Sequence, residues 1–358
     1  MGKRTNTAVW IESQSRWQIK VQKDGERRTF YSRKKGRVGQ REANAKADAW
    51  LDDGIVEQSF TVGKLWEMYL ADLSATASTS ATKKLQSHGS VWIIPTIGRV
   101  RISALTEAHL QKVIDRAFAA GLAKKSLINL RSSLVGFLRW CRRRKASALM
   151  LEGLMIPQSA PVGEKRVLQP ESLRVLFESD RTAYRGKEVE DEFVHAYRFA
   201  VLTGLRPGEL IGLRWADVSG DVVSLSRSVN AYNETTRGKN ENAIRRFVLS
   251  PMAAAEINAQ RDLTGDIESV FGIVSLSSLS KRWRVYCEHN GIPYVSLYEL
   301  RHTFVSVVKG LSLGELRPLI GHSASMDTLG WYAHQMDGEA EIVAKKVGYI
   351  FEEILSIK

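Results

Sequence analysis

Between Val62 and Leu73 the apolar side chains fall at Val62, Leu65, Trp66, Tyr69, Leu70 and Leu73. That is the i, i+3, i+4, i+7, i+8, i+11 rhythm of a helix with one buried stripe. The rhythm returns in "KKSLINLRSSLVGFLRWCRRRK", which would bury Leu127, Leu130, Leu134, Leu138 and Cys141. Between them "LTEAHLQKVIDRAF" predicts a further helix, with Thr106 as its cap and Glu107 in its first turn. Residues 58–156 thus read as a helical segment, broken by the low-complexity connection "SATASTSAT".

The pattern before it has period two. "AVWIES" reads as a short strand, and "RWQIKV" alternates Trp17, Ile19 and Val21 onto one face. Asp24-Gly25 is a hairpin turn signal leading into "RRTFYS". A helix follows, with Ala43, Ala47 and Trp50 at i, i+4 and i+7. Three strands bury little alone, so the helix should cover their inner face, giving a small α+β unit over residues 1–57. Its outer face and turns would then carry Lys20, Lys23, Arg27, Arg28, Arg33, Lys34, Lys35 and Arg37. Such a sheet suits a DNA groove, and a merely solvated basic surface fits as well.

"LMIPQSAPVGEKRVLQPESL" has the composition of a linker. Beyond it, residues 157–340 read as mixed α/β and mainly helical, with the strands "DVVSLSRSV" and "AIRRFVLS" joined by the polar "NAYNETTRGKNEN". Val343, Val347, Ile350 and Ile354 mark a last helix in 341–358.

Charge narrows the partner. Lys and Arg number 52 against 39 Asp and Glu, a net +13 in 358 residues, with 44% hydrophobic and 25% charged residues. A polyanion is the expected partner, nucleic acid before membrane, since no stretch approaches the roughly 20 apolar residues of a spanning helix. Lys124, Lys125, Arg131 and Arg139 line the polar side of the long helix, which ends in Arg142, Arg143, Arg144 and Lys145. That run exceeds what a helix C-terminus needs and suggests a phosphate-backbone contact. Only Cys141 and Cys287 are present, too few for a disulfide framework. With no export signal in "MGKRTNTAVWIES", the expectation is a cytoplasmic protein.

Three short stretches could carry chemistry. In "TGLRPGELIGLRW" Pro207 fits the first turn of a helix and forces Arg206 out of helical geometry, to the helix start, with Glu209 in the first turn. There Arg206 could meet an anion or pair with Glu209. "SLYELRHTF" places Tyr298 and Arg301 three residues apart. "IGHSASMDTLGWYAH" has His322 after the helix-stopping Gly321, and Tyr332 on a new helix. Taken singly, His322 fits a capping residue and Tyr332 a half-buried core residue.

In that order and spacing the three stretches resemble the signature boxes of the tyrosine recombinases, the phage-integrase family. "SFTVGKLWEMYLADL" and "VWIIPTIGRVRISALTEAHL" resemble the family's helical, SAM-like core-binding domain. The basic N-terminal sheet is similar to the arm-binding domain of integrases from phages and conjugative transposons. The resemblance implies that Arg206 and Arg301 grip a scissile phosphate, Glu209 orients the first box, His322 assists and Tyr332 is the nucleophile. It also implies a lysine acid from the β-hairpin loop, where Lys239 is the only lysine. Most members have histidine where this chain has Tyr298, and a phenol with a pKa near 10 is a poor base at neutral pH. The neighbouring His302 should point elsewhere. Implied too are cleavage through a 3′-phosphotyrosine without metal or other cofactor, double-stranded arm and core sites as DNA partner, and a tetramer on paired sites. Accessory bending or directionality proteins are further expected partners. The C-terminal helix would dock on a neighbouring protomer, unless it closes its own domain. The competing readings are a DNA-binding relative without chemistry, a type IB topoisomerase or telomere resolvase, and a metal-dependent nuclease.

Overall fold

In the computed structural model, residues 4–23, 26–52, 59–237, 244–321 and 338–356 are described. The chain divides into two compact units, residues 1–163 and 164–358.

The first unit opens with an antiparallel sheet of β1 (Val9–Ile11), β2 (Arg16–Lys23) and β3 (Glu26–Ser32), in the order β1-β2-β3. Helix α1 (Gly36–Asp52) covers it. Ile19 and Val21 from β2 and Ala43, Ala47 and Trp50 from α1 form the small core, as the two periodicities require. The Asp24-Gly25 turn lies outside the described residues. Register corrects one expectation. Arg28 stands opposite Val21, and Lys23 follows Val21 at period two, so both belong to the inner face. Their cations lie 5.5 and 5.8 Å from the Trp50 ring centre. Lys20 and Arg27 are on the outer face and exposed.

The helical part comprises α2 (Val62–Ser74), α3 (Thr79–His88), α4 (Ile94–Ile97), α5 (Glu107–Ala119) and α6 (Lys124–Arg143). A π-helical turn, Gly89–Ile93, joins α3 to α4. Thr106 caps α5. Val62, Leu65, Trp66, Leu127, Leu130, Leu134 and Leu138 meet in one core. Leu154 and Ala160 join it. The backbone N–H groups of Glu152 and Gly153 donate to Glu107, and Gln111 exchanges hydrogen bonds with Met155. The first part of the proline-containing stretch is therefore strapped onto the helices, and the division between units falls at Gly163–Glu164.

The second unit contains α7 (Pro170–Glu178), the hairpin β4 (Arg181–Tyr184) and β5 (Lys187–Glu190), α8 (Val194–Thr203) and α9 (Pro207–Gly212). Strands β6 (Val218–Ser219), β7 (Val222–Leu225), β8 (Ser228–Val229), β9 (Thr235–Thr236) and β10 (Arg245–Val248) follow, then α10 (Pro251–Thr264), α11 (Leu276–His289), α12 (Leu297–Val307), α13 (Leu313–Ile320) and α14 (Glu339–Ser356). The sheet order β10-β7-β6 is antiparallel throughout. Helix α8 is apolar nearly all round, and apart from His195 every residue in it is buried; such a helix belongs at the centre of a unit. Val343, Val347 and Phe351 of α14 are buried in this unit's own core, with the Phe351 ring parallel to that of Phe304. Among the described residues no helix is long and apolar enough to cross a membrane.

Candidate active site

The site begins where α8 stops. Gly204 ends that helix in the left-handed region, φ 64° and ψ 22°, a conformation that glycine adopts without a Cβ penalty. Two residues on, Arg206 is extended at φ −69°, ψ 146°, as a residue before proline must be. Pro207 starts α9, and Glu209 turns back on the helix start. Its Oε2 accepts the Arg206 backbone N–H at 3.0 Å, and its Oε1 accepts from Arg206 Nη1 at 2.6 Å. Of the two readings for Arg206, the pairing with Glu209 is realised, and the cap's donor is already occupied by that carboxylate.

Arg301 arrives from the middle of α12 and is 2% exposed. Its Nη1 donates to the Gly204 carbonyl at 2.8 Å, and its Nη2 donates to the Ile320 carbonyl. Arg206 Nη2 donates to the carbonyl of Gly321 at 3.3 Å. Both acceptors lie at the C-terminal end of α13, which Gly321 closes at φ 61°. A helix end presents carbonyls with no partner of their own and a partial negative charge.

A third guanidinium completes the arrangement, one that the sequence reading passed over. Arg245 of β10 forks onto both oxygens of Glu209, at 3.2 and 3.0 Å, while its Nε donates to the Leu319 carbonyl at 2.9 Å. The carbonyls of Leu319, Ile320 and Gly321 thus each accept from a different arginine. The signal for Arg245 was in the alternation of "RRFVL": Phe247 and Leu249 face the core, so Arg245 must as well, and Arg246 points out.

Three guanidiniums and one carboxylate leave two positive charges in excess. The electrostatics follow from that crowding. Burial, then the neighbouring Arg206 charge, pulls Arg301 down to about 10, so it remains charged at neutral pH. Burial alone would push Glu209 up. The hydrogen bonds and charge of Arg245, followed by those of Arg206, outweigh it and hold the carboxyl below its ordinary value.

Tyr298 is half-exposed, and its ring meets that of His302 edge-on at 5.4 Å. The i, i+4 spacing thus pairs His302 with Tyr298. Lys239, His322 and Tyr332 lie outside the described residues. Of the basic residues expected on DNA, Lys35, Lys125, Arg139 and Arg143 are exposed. Others are engaged: Lys34 with Glu42, Arg131 with the Leu154 carbonyl, Arg142 with the Met150 sulfur, and Arg144 with Asp72 and the Trp140 ring. Lys124 is half-buried, its backbone N–H bonded to Pro161.

Residues 166–339 match the phage integrase family, a span that includes Arg206, Glu209, Arg245 and Arg301. The C-terminal unit thus carries a phage integrase family domain. A tyrosine recombinase XerC-like protein of Caldanaerobacter subterraneus subsp. tengcongensis is 23% identical over 86% of this chain and 88% of its own length. The ICEBs1 integrase of Bacillus subtilis is 21% identical over 42% of this chain and 47% of its own. Among solved structures, the Tn1549 transposon integrase with transposon right-end DNA is similar over 80% of this chain and 99% of its own, with a TM-score of 0.59 and 16% identity. A lambda integrase tetramer bound to a Holliday junction is similar over 92% of this chain and 96% of its own, with a TM-score of 0.57 and 14% identity. At these identities the likeness is one of fold.

Proposed function

We propose that the protein is an integrase-type site-specific DNA recombinase that integrates or excises a mobile element. The observation that carries the reading is the cluster of Arg206, Arg245 and Arg301 around one carboxylate, with its surplus of two positive charges. A phosphodiester brings one negative charge, and its pentavalent state brings a second.

In this reading Arg206 and Arg301 hold the non-bridging oxygens of the scissile phosphate, and Glu209 keeps Arg206 in place. A free tyrosine is about one part in a thousand phenolate at pH 7, a deficit of roughly 4 kcal/mol. Guanidiniums beside the phosphorus offset part of it and stabilise the charge that develops. Tyr332 loses its proton to solvent, its phenolate oxygen attacks phosphorus, and the bond to the 5′ oxygen breaks. Lys239 protonates that leaving oxygen, His322 hydrogen-bonds to the phosphate, and Tyr298 helps to position it. The product is a 3′-phosphotyrosine with a free 5′ hydroxyl. The number of phosphoester bonds is unchanged, so rejoining requires no ATP.

We read residues 1–57 as the arm-type DNA-binding domain, 58–156 as the core-binding domain and 157–340 as the catalytic domain. Two DNA-reading domains beside the catalytic one suit a protein that joins distant sites on double-stranded DNA, as a tetramer with accessory bending or directionality proteins. Residues 341–358 would exchange between protomers on release of the packing seen for α14.

The test is a nicked duplex bearing the encoding element's end sequence, which traps the covalent intermediate. The wild type should form an adduct that EDTA does not prevent, and Tyr332→Phe should bind the duplex but form none. A normal adduct yield from Tyr332→Phe would move the nucleophile elsewhere. EDTA-sensitive cleavage without an adduct would favour a metal-dependent nuclease.

A further inference from the structure

We infer that Arg245 is a positioning residue for this site, fixing Glu209 against Arg206 and clamping the end of α13 from which the chain runs on to His322. The inference rests on the recombinase reading for its activity arm only.

Arg245 is placed for that work. Its side chain is 6% exposed, against 21% for Arg206. Its planar fork spans both carboxylate oxygens while Nε reaches the Leu319 carbonyl, three acceptors in two elements held by one rigid group. Without it Glu209 would keep only its two hydrogen bonds to Arg206, and among the described residues the α13 end would keep only Arg206 and Arg301. The charged groups facing Glu209 among the described residues are Arg206 from the start of α9, Arg245 from β10 and Arg301 from α12. Arg245 supplies the largest opposition to the burial of that carboxylate. Its removal therefore raises the Glu209 pKa, so that a fraction of the carboxyl becomes protonated at pH values where the wild type is ionised. A protonated Glu209 no longer holds Arg206 by charge.

The experiment compares wild type, Arg245→Met, Arg245→Lys and the double variant Arg245→Met with Glu209→Gln, all as the full chain. With the nicked duplex, Arg245→Met should bind as tightly as wild type. Its adduct should form about 100-fold more slowly, the cost of about 1 Å of misplacement. The acid limb of its rate profile should move to higher pH, and that displacement should vanish in the double variant. Arg245→Lys keeps the charge without the fork; it should lose rate and keep the wild-type acid limb. Thermal unfolding from pH 5 to 8 needs no DNA. Once ionised, the wild-type Glu209 carboxylate draws stability from Arg245 that the variant lacks, so the difference between the two grows as pH rises. Arg245→Met should therefore lose stability towards pH 8 relative to wild type, and the double variant should not. A rate profile for Arg245→Met that is lowered without shifting overturns the inference, as does full activity of Arg245→Lys. If the wild type forms no adduct, the recombinase reading fails and the unfolding series decides alone: an unchanged pH dependence then overturns the role of Arg245. Should Arg245→Met not fold, the rate and acid limb of Arg245→Lys decide.

Discussion

Gly204 serves the site twice, once through its conformation and once through its carbonyl, which accepts from Arg301. A Cβ at this position would stand 2.4 Å from the Phe304 ring and would need a left-handed φ as well. The left-handed conformation costs roughly 1–2 kcal/mol and the overpacking about 1–3 kcal/mol. Gly204→Ala should therefore destabilise the C-terminal unit by about 2–5 kcal/mol in urea unfolding. Phe304→Leu in the same chain should recover part of that loss; no recovery would mean that the ring contact is not the cause. At this scale much of the site was legible. Proline fixed Arg206 at the start of α9, and three-residue spacing put Glu209 where it turns back. Arg245 was harder to see because its strand is four residues long and adjoins a second arginine, so only register separates the two. Lys23 and Arg28 differ from expectation for a related reason: the alternation that buries Val21 carries both to the inner side, beside the Trp50 ring, although Arg28 stays exposed there.

Helices were visible as rhythms, and their partners were not. The stripe of α14 is legible in Val343, Val347, Ile350 and Ile354, although Ile350 is only half-buried and Phe351 takes the core position; periodicity names a face and never what covers it. The structure places Phe351 against Phe304, three residues from Arg301. Phe351→Ala should cost about 3–5 kcal/mol and lower the midpoint of the C-terminal unit in urea. Tyr349→Ala, on the 61% exposed side of the same helix, should stay within about 0.5 kcal/mol. Equal losses would contradict packing of α14 on its own unit. The hairpin of β4 and β5 escaped the hydrophobic reading altogether, because of its eight strand residues only Thr182 is buried. Its turn, Arg185-Gly186, has both residues at positive φ, a local signature that composition hides.

On the scale of the molecule, the question is what the N-terminal sheet adds to chemistry that lies in residues 164–358. Ala8, Ile19, Val21, Ala43, Ala47, Trp50 and Leu51 close a core of their own. Removing residues 1–57 therefore leaves the helical core around Trp66 and Leu134 and the core around α8 with their own packing intact. On DNA an excess of positive charge would act through phosphate contacts, whose number sets the salt dependence of binding. Deleting 1–57 removes Lys20, Arg27 and Lys35, all exposed. If the sheet reads a second DNA site, the truncated protein should form adducts on a single-site duplex at close to the full-chain rate. It should fail in recombination between two sites, and its binding to arm-bearing DNA should show a shallower salt slope. If single-site cleavage and recombination fall together by the same factor, the sheet is a support for the active fold and does not read a separate site.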